Sequence, residues 1–131
     1  MRTPRNQHTE IRFLPQHELR NKQVGDYFTD AYHVRQFEIA LTGRYEFDIL
    51  ILIHELIEAT LCRRRKILDS AIDEGWDFIH PELDEPGADP RAPYHKEHVF
   101  AEKIERMVCK ELGFSWKEYS ARIDKICPSR D

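Results

Sequence analysis

The stretch Ile51-Leu52-Ile53-His54-Glu55-Leu56-Ile57-Glu58-Ala59 sets three ionisable side chains among almost unbroken apolar neighbours. It lies inside a longer run, from about Tyr45 to Lys66, whose period is helical. Ile49, Leu52, Ile53, Leu56, Ile57 and Thr60 recur at about 3.6 residues per turn. Leu50, Ile51, Ala59 and Leu61 add apolar character elsewhere on the circumference. A helix apolar nearly all round is a buried one. The sequence therefore predicts a central buried helix that carries charge into the core. An isolated charge there is costly, so His54, Glu55 and Glu58 need partners.

One set of partners is a metal ion. His54 and Glu58 are four residues apart and project from adjacent turns of one helical face. An ion with ligand distances of about 2 Å can take both. Glu55 points about 100° away from His54. The competing structural reading pairs the three groups with basic side chains such as Arg35 or Arg44.

Outward from this helix the pattern changes. Ile11 and Phe13 alternate with polar neighbours before Pro15, and Asp26-Tyr27-Phe28-Thr29 forms a second short run. Tyr32 to Leu41 changes phase near Arg35-Gln36, which predicts a β-bulge or a strand covered on both faces. Thr42-Gly43 ends that run. After the central helix, Ser70 to Ile79 reads as a shorter one. Residues 80–93 hold Pro81, Pro86, Pro90 and Pro93 in an acidic surface loop, where regular structure is blocked. A helix from about Tyr94 to Leu112 ends at Gly113, and Ser115 with Glu118 caps a last one. Strands first and helices after predict an α+β fold. The expected architecture is a small N-terminal antiparallel sheet of two to three strands on the buried helix, with two to three further helices. At 131 residues, one domain over 1–131 is expected.

The later helix carries a second constellation, His95, His98 and Glu102, at spacings of three and four. Its apolar residues Phe100, Ile104, Met107 and Val108 define the stripe expected to face the core. On that wheel His95 lies almost opposite, Glu102 nearly so, and His98 about 120° from the centre. His98 is thus the candidate third ligand, with His95 and Glu102 expected in solvent. Three protein ligands with an open position is the pattern of a catalytic metal. Asp73, Asp77, Asp84, Glu85 and Asp89 are expected in a helical first turn and a solvated loop. His8, His17, His33 and His80 are isolated and carry no assigned role.

Composition narrows the partners. With 40% hydrophobic and 34% charged residues, a modest core and a well-solvated surface are expected. No apolar run approaches the roughly 18 residues of a membrane span, and Met1 to His8 lacks a secretory apolar segment; a cytoplasmic protein is expected. The net charge of −4 gives no global field for nucleic acid. Arg63-Arg64-Arg65-Lys66 is expected to complement a helix C-terminus. Cys62, Cys109 and Cys127 are odd in number and show no CxxC spacing, so reduced thiols are the expectation.

His54-Glu55-Leu56-Ile57-Glu58-Ala59 resembles the HExxH helix of zincin metallopeptidases, with Glu58 where they have a second His. That resemblance implies zinc on His54 and Glu58, Glu55 as general base, and a helix that follows a small sheet. A wider pattern resembles small phage and bacterial proteins of uncharacterised function. It comprises Val24-Gly25-Asp26-Tyr27, Tyr45-Glu46-Phe47, the central helix through Cys62, Glu85 to Asp89, and Ala92 to His98. Three functions follow: a metal-dependent hydrolase using His54, Glu58, His98 and Glu55; an accessory protein that binds a partner, with a structural metal or none; and a nucleotide enzyme. The last rests on Glu55-x-x-Glu58 and Glu74-x-x-Asp77, which resemble the carboxylates of all-α nucleoside triphosphate pyrophosphohydrolases.

Overall fold

The computed structural model describes residues 8–127. Three strands, β1 (Thr9–Leu14), β2 (Gly25–Thr29) and β3 (Arg35–Ala40), form one sheet in the order β1-β3-β2. Four helices follow: α1 (Tyr45–Arg64), α2 (Asp69–Ile72), α3 (His95–Glu111) and α4 (Trp116–Ile126). The fold is α+β.

The sheet is mixed, where an antiparallel one was expected. β2 and β3 form an antiparallel hairpin, but β1 runs parallel to β3. Alternation of apolar residues reports which face a strand buries and is blind to its direction. The hairpin turns on Asp30, whose carboxylate accepts from the backbone N–H of Tyr32 and Val34 at 2.8 and 3.0 Å. β3 pairs without interruption on both sides, so the phase change at Arg35-Gln36 marks a central strand covered on both faces and no bulge. Of its buried polar residues, Gln36 donates to Glu10 and Asp30 at 3.1 Å each while its Oε1 has no partner, and Glu38 pairs with Arg12.

α1 spans nearly the predicted run. Leu52 of the expected stripe is buried, but the buried face as a whole, Phe47, Leu50, Ile51, His54, Glu58, Ala59 and Cys62, is rotated from that stripe. Ile53 and Ile57 are half-buried and Thr60 is exposed. The helix packs against β2 and β3 on one side and along α3 on another.

The segment expected as a helix from Ser70 to Ile79 is shorter. α2 ends at Ile72, and after a turn only a 3-10 segment, Asp77–Ile79, follows. Gly75 falls in that break. A Cβ there would lie 2.6 Å from the Ala71 carbonyl oxygen. The Pro-rich loop is anchored by Trp76, whose indole N–H donates to the Pro86 carbonyl at 2.8 Å. α3 ends at Gly113, where φ is +90°, as a C′ glycine should. The Ser115 hydroxyl accepts from the Glu118 N–H at 3.1 Å and caps α4.

α3 buries a different face from the one its hydropathy suggests. Glu97, His98, Ala101, Glu105 and Cys109 point inward, while Phe100 is 46% and Met107 60% exposed. This rotation brings two ionisable side chains of α3 against those of α1.

Candidate metal centre

His54 and Glu58 stand on the face of α1 turned toward α3, and His98 stands in the first turns of α3 (all three buried). Their donor atoms converge. His54 Nε2 is 3.0 Å from Glu58 Oε2 and 3.2 Å from His98 Nδ1, and His98 Nδ1 is 3.0 Å from the same Glu58 oxygen. A tetrahedral ion with ligand distances of about 2.0–2.1 Å separates its ligand atoms by about 3.3 Å. The triangle therefore fits a transition-metal ion with little rearrangement. The sequence brought His98 to this point through the wrong stripe: it sits in the middle of the buried face of α3.

Two members of the triangle are held from behind. His54 Nδ1 lies 2.7 Å from Glu105 Oε1, and the Tyr119 hydroxyl donates to the other Glu105 oxygen at 2.5 Å. The Tyr27 hydroxyl, from β2, donates to Glu58 Oε1 at 2.9 Å. Such outer partners fix the tautomer and orientation of metal ligands. Glu105, Tyr119 and Tyr27 were not singled out from sequence. Glu105 follows His98 by seven residues and so shares its helical face, and that spacing is the one signal that could have found it.

The electrostatics follow from burial. Burial works against the His54 cation, but the hydrogen bonds with Glu105 and Glu58 outweigh it and raise its pKa to about 11. Burial likewise opposes the Glu58 anion, yet hydrogen bonds from His54 and His98 lower its pKa to about 2. The basic partners envisaged from sequence are engaged elsewhere. Arg35 binds Asp69 at 3.0 Å, and Arg44 lies over the Phe47 and Phe114 rings.

Glu55 lines a cavity of about 620 Å³ shared with all three triangle residues. Its carboxylate accepts no hydrogen bond from the described residues. Burial, and then the negative charge of Glu58, push it well above the usual carboxylate range. Gly25 makes room for it: a Cβ there would stand 2.7 Å from Glu55 Oε1 and 2.8 Å from its Cγ. Gly87 does the same for His98, since a Cβ would meet the imidazole Cγ and Nδ1 at 2.8 Å.

The other candidates divide. His95 is half-buried, its Nδ1 3.0 Å from the Gly87 carbonyl oxygen, where solvent was expected. Glu102 and Glu85 reach the same cavity. Asp73 pairs with Arg20 at 2.9 Å and Asp89 with Arg91 at 2.9 Å. Asp77 accepts from the Tyr94 hydroxyl at 2.6 Å, and burial lifts its carboxyl to about 7. Glu74 is exposed. Among the described residues it belongs to neither group of three or more side chains whose donor atoms lie within 4.8 Å of one another. The pyrophosphohydrolase resemblance also implies an all-helical fold, which the sheet rules out.

No family model matches the chain, and no curated protein or solved structure is significantly similar to it. Among the described residues, no helix is long and apolar enough to cross a membrane.

Proposed function

We propose that this chain is a mononuclear metal-dependent hydrolase, zincin-like in its chemistry, with zinc as the ion. His54 Nε2, His98 Nδ1 and Glu58 Oε2 are the ligands and Glu55 is the general base. The observation that carries this reading is the convergence of the three donor atoms at 3.0–3.2 Å. Two imidazoles and one carboxylate form a donor set used by catalytic zinc. Zinc bound there supplies a Lewis acid that polarises a carbonyl and acidifies water.

The residues supply the rest. Glu105, itself held by Tyr119, keeps the proton on His54 Nδ1 and leaves Nε2 as the donor nitrogen. Tyr27 holds Glu58 by one oxygen so that the other faces the two imidazoles. Glu55 has no hydrogen bond to break before it accepts a proton from water. Its raised pKa suits it to pass that proton on to a leaving group. The cavity gives a substrate room beside the carboxylate, and the acyl compounds that zincins cleave are the substrate class of this proposal.

The test has two arms. The purified, zinc-loaded chain is expected to hold at least one equivalent of zinc, and His54→Ala is expected to lose one equivalent. Glu55→Gln is expected to keep the metal and lose hydrolysis of a mixed quenched-fluorescent peptide set. A Glu55→Gln variant with unchanged hydrolysis would leave an accessory binding protein with a structural metal as the better account.

A further inference from the structure

His98 has a second nitrogen, and the triangle does not use it. Its Nε2 is buried and has no hydrogen-bond partner. An unpaired polar atom in a side chain only 11% exposed is unusual enough to require a reason. Nδ1 is the nitrogen turned to the triangle, 3.0 Å from Glu58 Oε2.

Two carboxylates stand near the His98 ring. Glu85, at the start of the Pro86–Ala88 turn, and Glu102, one turn beyond His98 on α3, each place an oxygen within 4.8 Å of the other and of a ring nitrogen of His98. The turn that carries Glu85 is fixed. Trp76 holds the Pro86 carbonyl at 2.8 Å, and Gly87 is pressed against the His98 ring. Glu102 has one competing contact, Arg106 at 3.5 Å. That pair is substantially exposed and of little worth in water.

We infer that Glu85, Glu102 and Nε2 of His98 form a second divalent-metal site, at the mouth of the cavity and beside the inner triangle. Two carboxylates and one imidazole suit zinc, manganese or iron. The outer site does not depend on the inner one, because its donors are complete without His54 and Glu58. The two sites share one imidazole through opposite nitrogens. A second ion beside a filled inner site must displace the remaining imidazole proton, so its binding is weaker than the first.

The experiment is a zinc titration of the full chain against a chromophoric chelator, in the wild type, Glu85→Gln/Glu102→Gln, His54→Ala and the triple variant. His54→Ala is expected to keep one equivalent, and adding the two Gln substitutions weakens it by about tenfold or more, the scale that even outer-shell partners carry. Glu85→Gln/Glu102→Gln alone keeps the inner equivalent. The inference is overturned if folded His54→Ala binds no zinc, or binds it equally well in the triple variant. The inner-site reading fails separately, if Glu85→Gln/Glu102→Gln binds none. Should His54→Ala lack native circular dichroism, Glu58→Gln removes the inner site with less disturbance and takes its place in the same comparison.

Discussion

His54 and Glu105 face each other from α1 and α3 at 2.7 Å, and this contact joins the two helices at the centre of the site. Glu105 is buried, and its second oxygen depends on Tyr119. Tyr119→Phe leaves that oxygen without its donor. The expected cost is about 1–3 kcal/mol of stability, read as a lower urea midpoint with an unchanged slope. Zinc affinity should fall, by up to about 10–100-fold, because the carboxylate that orients the imidazole is no longer held itself. An unchanged affinity would mean that Glu105 packs the helices together and does nothing for the ligand.

The two glycines at the site separate binding from proton transfer. A Cβ at Gly87 strikes the His98 ring and one at Gly25 strikes Glu55. Gly87→Ala should therefore weaken zinc binding. Gly25→Ala should leave it near wild type while reducing hydrolysis. Both should lose about 1–3 kcal/mol through overpacking. Parallel zinc titrations and denaturation curves distinguish them; equal losses of zinc affinity would show that β2 positions the whole α1 face and not Glu55 alone.

Protons should move with the metal. In the metal-free protein the pKa of His54 is raised from 6.5 to about 11, so its stabilising effect is complete below pH 6.5 and is lost as pH rises toward 11. The pKa of Glu58 is lowered from 4.5 to about 2, so its effect is complete above pH 4.5 and is lost as pH falls toward 2. Metal-free stability from this pair should peak between those limits. At pH 7 zinc takes Nε2 from a protonated His54 and releases about one proton. Calorimetric titrations in two buffers of different ionisation heat measure that number. Zinc affinity should rise with pH, opposite in sign to the metal-free stability above pH 6.5.

Much of this arrangement was legible in the sequence where local chemistry decides it. The span of α1, the Gly113 stop, the Ser115 cap and the Pro-rich loop each follow from nearest-neighbour rules, and His54, Glu58 and His98 do meet. The faces of α1 and α3 were not legible, and the site itself is the reason. Glu97, His98 and Glu105 put polar groups on the buried side of α3, while Phe100 and Met107 lie outside. Hydropathy reads such a helix backwards. His98 was reached because it was the least exposed of three candidates on a wheel turned the wrong way. Glu105 was passed over because a lone Glu on a charged helix looks like surface. Tyr27 and Tyr119 look like ordinary core aromatics until their hydroxyl partners are known. The parallel pairing of β1 with β3 depends on how residues 15–24 cross the sheet, and no alternation pattern encodes that.

X-ray absorption at the zinc edge, on the full chain loaded with one equivalent, tests the central claim most directly. The account predicts two imidazoles in the first shell, completed by oxygen at about 2.0–2.1 Å and without sulfur. A shell with sulfur at about 2.3 Å, or a chain that retains no zinc after dialysis, would contradict it.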